Sequence, residues 1–219
     1  MSDDAGRARS YFDRLAPEYD RAFRRQARTP LNALVNRAFR SATFEERMRL
    51  FEGRFAARGL QGKRVLDLGC GSGQVSLLAA ALEAHVHAVD ISPRMLEIAR
   101  DSARRAGLET ISFEEGDVMT AELPPADLVL LVGVVEYYAD YEGLIARSAA
   151  AAREALVVCH TTRVPYRMLL RKLLFRLEGS SVYFHPMDDL VRAAEAAGLR
   201  LTERIDRHAF SILELERRG

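Results

Sequence analysis

From Lys63 onward, short apolar runs alternate with amphipathic stretches of helical period. Residues 64–68 are short and apolar, 73–82 carry the 3.6-residue period, and 85–89 are again a short run. Ser92-Pro93 opens a helix, because serine can cap free amides and proline loses no hydrogen bond at the first helical position. Its core face is Leu96, Ile98, Ala99 and Ala103, and Gly107 ends it. Strands over 110–114 and 126–132 follow, then a helix over 139–152 and a strand over 155–159. A helix over 186–197 stops at Gly198. Two last strands, 199–205 and 209–215, are joined by a short connection and so run antiparallel. Seven strands in this rhythm predict an α/β fold: a mostly parallel sheet with helices on both faces and a C-terminal antiparallel pair.

Before Lys63 the pattern is helical. Thr29-Pro30 is a helix start, with Leu31, Leu34, Val35, Ala38 and Phe39 at helical spacing. Thr43 with Glu46 three residues later is a capping-box pattern, so a second helix is expected there, with Phe44, Met48, Phe51 and Phe55 on one face and a stop at Gly59. The chain thus divides into an N-terminal helical segment, 1–59, and a core, 60–219, with an insert at about 163–184.

Composition narrows the field. At 219 residues the chain suits one α/β domain. A net charge of +1 gives no bulk argument for nucleic acid, although residues 1–58 hold 13 arginines against 8 acids. Cys70 and Cys159 form no CxxC pair, and no His/Cys/Asp grouping has metal-ligand spacing, so no metal site is expected. The first twenty residues lack the apolar core of a signal peptide, and no apolar run approaches the ~20 residues of a membrane span. A cytoplasmic protein is expected.

VLDLGCGSGQVSLLAA, from Val65 to Ala80, reads as strand, glycine turn and helix. Gly69, Gly71 and Gly73 leave backbone bare at a helix N-terminus, where free N–H groups and the dipole favour a ligand. A nucleotide-like ligand is the default at the first such turn of a parallel sheet. The spacing is not the dinucleotide Gly-x-Gly-x-x-Gly, since Gln74 follows Gly73. Asp90 ends the second strand 17 residues after Gly73, placed to accept from both hydroxyls of a ribose. Gly116-Asp117-Val118 follows the third strand, where a carboxylate can accept from an adenine amino group. The fourth strand runs into Gly133-Val134-Val135-Glu136.

VLDLGCGSG, VDISPRML, EEGDV and ADLVLLVGVVEYY, in this order and spacing, resemble the class I S-adenosylmethionine-dependent methyltransferases. YFDRLAPEYD resembles the opening of many small-molecule members, where it forms part of a lid. The resemblance implies a Rossmann-like sheet, an N-terminal helical lid, and S-adenosyl-L-methionine as cofactor with S-adenosyl-L-homocysteine as product. It puts Asp67, Gly69 and Gly71 near the methionine end, Asp90 on the ribose, Ile91 against the adenine, Asp117 and Val118 at the adenine edge, and the Gly133 carbonyl by the methionyl amine. The other cofactor contacts it implies are Tyr11 and Tyr19 of the lid, with Cys70, Gly73, Met95, Gly116 and Val134. Asp67 also suits simple stabilisation of the glycine turn, and Asp117 an ordinary turn position.

Methyl transfer from a sulfonium is an in-line displacement, in which the protein positions the acceptor and excludes water. A base helps when the acceptor is a hydroxyl or a protonated amine. Glu136 and Tyr137 after strand four and His160 after strand five lie on the carboxyl edge and are the candidates for catalysis. Tyr138, Arg163, Tyr183 and His185 are the candidates for acceptor binding; His185, before Pro186, equally suits a helix N-cap. RVPYRMLLRKLLFRLEG, at 163–179, is basic and amphipathic, and fits a cap on the sheet edge, a substrate-binding cap, or a surface for peripheral membrane or partner contact. The insert, SSVYFHPMDDL and the lid resemble, more loosely, a group of small-molecule methyltransferases that includes the magnesium-protoporphyrin IX O-methyltransferases. The expected reaction is methylation of a small organic acceptor, on oxygen or nitrogen. Methylation of tRNA or protein, and a non-catalytic module that binds S-adenosylmethionine, stay open. Amino methylation of DNA or RNA is disfavoured because strand four ends in GVVE rather than Asn/Asp-Pro-Pro-aromatic, and a nicotinamide dehydrogenase by the glycine spacing and Asp117. Neither the acceptor nor the oligomeric state is set by any motif.

Overall fold

The computed structural model describes residues 3–23, 30–161 and 182–217; within them the side chains of 17–23, 30–43 and 161 lie outside the description. Its seven strands are β1 (Arg64–Leu68), β2 (His85–Asp90), β3 (Ile111–Glu115), β4 (Ala126–Val132), β5 (Ala152–Thr161), β6 (Leu199–Asp206) and β7 (Phe210–Arg217). They lie in the order β3-β2-β1-β4-β5-β7-β6. The first five are parallel, and β7 runs antiparallel between β5 and β6. The order reverses between β1 and β4, which opens a crevice beyond their carboxyl ends.

Central strands covered on both faces need apolar side chains at every position, not at alternate ones. Val65 and Leu66, Leu128 and Val129, and Val157 and Val158 are all buried, one of each pair in either of two core clusters. One cluster takes Phe51 and Phe55 of α2 (Pro30–Arg58) and Val75 and Ala79 of α3 (Gln74–Ala81). The other takes Ala5, Ala8 and Tyr11 of α1 (Asp3–Phe23), with residues of α5 (Tyr141–Ala151) and α6 (Met187–Ala196). Ser92 caps α4 (Pro93–Arg105) as expected, its hydroxyl accepting from the Met95 amide at 3.2 Å. Met95, Leu96, Ala99 and Ala103 make the buried face, and Ile98 is only half-buried.

Three expectations need correction. The two helices expected before Gly59 are one, α2, because Glu46 does not fold back on a local amide: it pairs with Arg207 across the molecule at 2.8 Å. The start of α5 moves from 139 to Tyr141, where the Asp140 side chain caps it by accepting from the Gly143 amide at 2.8 Å. A 3-10 turn, Val135–Tyr137, fills the gap, and β5 is longer than expected at both ends. Most of the insert, 162–181, including Arg163, lies outside the described residues. No helix among the described residues is long and apolar enough to cross a membrane.

Candidate active site

The three glycines after β1 all have positive φ, 71°, 55° and 79°, a region that costs L side chains about 1–2 kcal/mol. Their surroundings differ. A Cβ on Gly69 would overlap Val134 Cγ2, and one on Gly73 would sit 2.9 Å from Ala99 Cβ. A Cβ on Gly71 would meet nothing within 4 Å. Two glycines are therefore required by the protein's own packing, and Gly71 is the one that presents bare backbone to open space.

Three carboxylates surround this turn. Asp67 is buried; its Oδ2 accepts from the Ser76 hydroxyl, and its Oδ1 has no hydrogen-bond partner among the described residues. Burial pushes its pKa up to about 6, against the Ser76 bond and aided by the charge of Asp90. Asp90 is buried too, accepting from the Gly71 amide at 2.7 Å and the Ser92 amide at 2.8 Å. Burial again wins, and its pKa also stands at about 6. Asp117 Oδ1 accepts from the Met119 amide at 3.0 Å and the Tyr138 hydroxyl at 3.2 Å. An ionised carboxylate offers about four lone-pair sites, so Asp90 and Asp117 keep acceptor capacity.

The other expected cofactor residues gather here as well. Ile91, Val118, Val134 and Tyr11 belong to one apolar cluster. Met95 is buried under the Ser92 cap. The Cys70 amide donates to Val89 O, and burial raises its thiol well above the usual range, so it stays protonated. The Gly116 amide donates to Asp90 O at 3.0 Å, and the Gly133 amide to Cys159 O at 2.8 Å. Tyr19 lies on α1, with its side chain outside the description.

Across the switch point, Glu136 and His160 are both 2% exposed, with Oε2 3.3 Å from Nδ1. The Tyr137 ring stands edge-on to Phe12 of α1, centroids 5.0 Å apart. Tyr138, a candidate for acceptor binding, donates its hydroxyl to Asp117 Oδ1; burial, then Asp117, raises its pKa. His185 does not cap α6, whose N-cap is Pro186 with no side-chain bond. Its Nε2 lies 3.0 Å from Tyr138 O, and a carbonyl only accepts, so this nitrogen carries the hydrogen. Burial lowers its pKa, and its ring packs against Tyr141 at 4.4 Å and stacks with Tyr183 at 6.2 Å. The group of three or more His, Cys, Asp or Glu side chains that a metal ion needs does not occur among the described residues.

Sequence reasoning missed the residues that fasten α1 over this edge. Asp4 accepts from the Ala139 amide and the Tyr183 hydroxyl, both at 2.9 Å, and from Arg7 at 2.8 Å. Asp13 accepts from the Ser92 hydroxyl at 2.6 Å. Arg147 of α5 was missed too; it holds the loop after β3 through Val118 O and Ala121 O. Asp13 lies within YFDRLAPEYD, so its segment carried a signal, whereas Asp4 and Arg147 carried none.

The class that this fold defines is the Rossmann-like methyltransferase fold, and residues 65–155 match the family described as "Methyltransferase domain". The chain is 32% identical over 141 residues to the magnesium-protoporphyrin O-methyltransferase of Rhodobacter capsulatus, covering 62% of this chain and 63% of that one. It is 36% identical over 102 residues to a ubiquinone biosynthesis O-methyltransferase of Methylocella silvestris, covering 46% and 40%. These matches span less than two thirds of either relative's length. In fold, the crystal structure of magnesium protoporphyrin IX methyltransferase from Synechocystis PCC 6803 with bound S-adenosylhomocysteine superposes with a TM-score of 0.82 at 24% identity, covering 99% of this chain and 100% of that one.

Proposed function

We propose that the chain transfers a methyl group from S-adenosylmethionine to an oxygen or nitrogen of a small organic acceptor. The observation that carries this is the pair of buried carboxylates at the β1 and β2 ends: Asp67 with an unpartnered oxygen, and Asp90 beside the bare Gly71. Buried carboxylates favour a ligand that brings positive charge and donors. S-adenosylmethionine brings an ammonium, a sulfonium, two ribose hydroxyls and an adenine amine. In this reading Asp90 takes the ribose, Asp117 and Val118 the adenine edge with Ile91 on its face, and Asp67 with the Gly133 carbonyl the ammonium side.

When bound, S-adenosylmethionine supplies an electrophilic methyl group. The chain's part is to orient the acceptor and exclude water. Residues 1–59 act as a lid on the 60–219 core: Tyr11 and Phe12 of α1 roof the edge, and Phe12 meets Tyr137 where the acceptor approaches. The names of the R. capsulatus and M. silvestris relatives, both O-methyltransferases of small molecules, support oxygen as the acceptor atom. Calorimetry tests the cofactor: S-adenosylhomocysteine should bind at micromolar affinity, about −8 kcal/mol. Tight binding of NADH without binding of S-adenosylhomocysteine would overturn the reading.

A further inference from the structure

We propose that Glu136 and His160 form a carboxylate–imidazole dyad that takes the proton from an alcohol or phenol acceptor. This rests on the methyl-transfer reading and adds the acceptor's chemical class.

The pair stands where an acceptor must approach. Val132 of β4 pairs with Cys159 of β5, so His160 is one residue beyond that rung and Glu136 four beyond, at the carboxyl edge beside the switch point. Both side chains are buried. Their chain neighbours Val135, Tyr137 and Cys159 are buried and largely apolar, so the packing here has no need of a charge. The turn that carries Glu136 is tied down, with the Tyr183 amide donating to Glu136 O at 2.7 Å.

The contact selects a tautomer. A carboxylate offers only lone pairs, so the hydrogen of a neutral His160 ring sits on Nδ1 and the lone pair on Nε2. The ring makes no other hydrogen bond among the described residues. His185, whose ring lies 6.2 Å away, is the contrast: its Nε2 hydrogen goes to the Tyr138 carbonyl. Of these two histidines, His160 is the one arranged to accept a proton at Nε2.

The chemistry then sorts acceptors. A carboxylate acceptor is already anionic at neutral pH and needs no base. An alcohol or phenol must lose its proton as its oxygen attacks. The acceptor oxygen forms the new bond to the methyl carbon while the sulfur–methyl bond breaks and its electron pair stays on sulfur. The acceptor proton moves to His160 Nε2, and Glu136 offsets the imidazolium charge that results. Glu136 is thus a positioning residue acting through His160.

The tautomer is read by two-bond ¹H–¹⁵N correlation on the ¹⁵N-histidine-labelled protein saturated with S-adenosylhomocysteine. The protein has five histidines, and the His160 set is the one lost in His160→Gln. The Nδ1–H form is expected in the wild type, with a shift toward Nε2–H in Glu136→Gln; an Nε2–H ring in the wild type overturns the dyad. Calorimetry on the same samples separates the two readings, because failure of the wild type to bind S-adenosylhomocysteine overturns methyl transfer itself. Transfer from methyl-tritiated S-adenosylmethionine is then followed with catechol as the phenol probe and magnesium protoporphyrin IX as the carboxylate probe. Transfer to catechol is expected, with kcat at least tenfold lower in Glu136→Gln and KM within twofold. Transfer to the porphyrin carboxylate alone, undiminished in Glu136→Gln and His160→Gln, overturns the proposal.

Discussion

At the ends of β1, β2 and β3, Asp67, Asp90 and Asp117 are held by groups 2 to 21 residues away in the chain, three of them backbone amides. At the ends of β4 and β5 the ties are longer. Glu136 and His160 are 24 residues apart, His185 reaches Tyr138 over 47, and Asp4 reaches Ala139 over 135 and Tyr183 over 179. A backbone amide is placed by the fold whatever its side chain is. A tie between two side chains, such as Glu136–His160 or Tyr183–Asp4, exists only if both residues are kept. The proposed cofactor half is thus held by ties short in sequence, and the proposed acceptor half by ties that join distant segments.

The largest effect should come from breaking the turn itself. Gly69→Ala combines a positive φ, about 1–2 kcal/mol, with overlap onto Val134, about 1–3 kcal/mol more. Gly71→Ala has the φ cost alone, since its Cβ would point into open space. Chemical denaturation should show Gly69→Ala as the less stable by about 2 kcal/mol, with Gly71→Ala losing mainly cofactor affinity. Equal losses of stability would mean that the two glycines are not divided between packing and ligand.

Asp90→Ala sharpens the ligand side of the comparison. It removes a charged acceptor, and hydrogen bonds to charged groups contribute about 1.5–3 kcal/mol each. S-adenosylhomocysteine affinity should fall by about ten- to a hundredfold in calorimetry. An unchanged affinity would remove Asp90 from the ribose.

The strands, the glycine turn, the Ser92 cap and Asp90 were legible because each is a local pattern whose meaning lies within a few residues. The single long α2 was not, because Glu46 had two uses, a local cap or Arg207, and the partner lies 161 residues away. The direction of the Tyr138 hydroxyl was not legible for a related reason. Adjacent residues in a tight turn point in different directions, and only the folded turn shows that the Tyr138 hydroxyl goes to Asp117 while Tyr137 meets Phe12 of α1. Glu136 and His160 were legible as candidates by their place on the carboxyl edge, but not as a pair. Asp4 is one of two adjacent aspartates near the start of the chain, and nothing in its neighbourhood marks it as the residue that joins α1 to Ala139 and Tyr183.

Proton linkage tests the cofactor half without mutation. Asp67 and Asp90 stand at about 6 in the fold against an ordinary 3.8, so the folded protein binds more protons than the unfolded chain between those values. The ligand-free protein should therefore lose stability as pH rises from about 4 through 6, with the penalty fully present above that. A ligand bearing an ammonium prefers the ionised carboxylates. S-adenosylhomocysteine should accordingly bind about tenfold tighter at pH 7.5 than at pH 5, one pKa unit being about 1.4 kcal/mol. Asp67→Asn should stabilise the ligand-free protein at pH 7.5 and flatten this dependence. A flat profile in the wild type would place the cationic end of the ligand away from both aspartates.

The smallest effect probes the seam between the two halves. Tyr183→Phe deletes one of the three hydrogen bonds that Asp4 accepts, leaving the Ala139 amide and Arg7 in place. Burial tends to raise the Asp4 pKa, but these bonds outweigh it and hold the carboxyl below its ordinary value, so Asp4 is ionised at neutral pH. A hydrogen bond to a charged group of this kind contributes about 1–2 kcal/mol when half-buried. The fold should therefore survive, while S-adenosylhomocysteine dissociates roughly five- to thirtyfold faster in stopped-flow measurements, since α1 must lift for it to leave. The tie predicts non-additivity: in an Asp4→Ala background, Tyr183→Phe should change the rate no further. If Tyr183→Phe has no effect while Asp4→Ala speeds release, Asp4 holds α1 to the core through the Ala139 amide rather than through Tyr183. Tyr183 would then serve the acceptor half only, and the two halves of the edge would respond to their ligands separately.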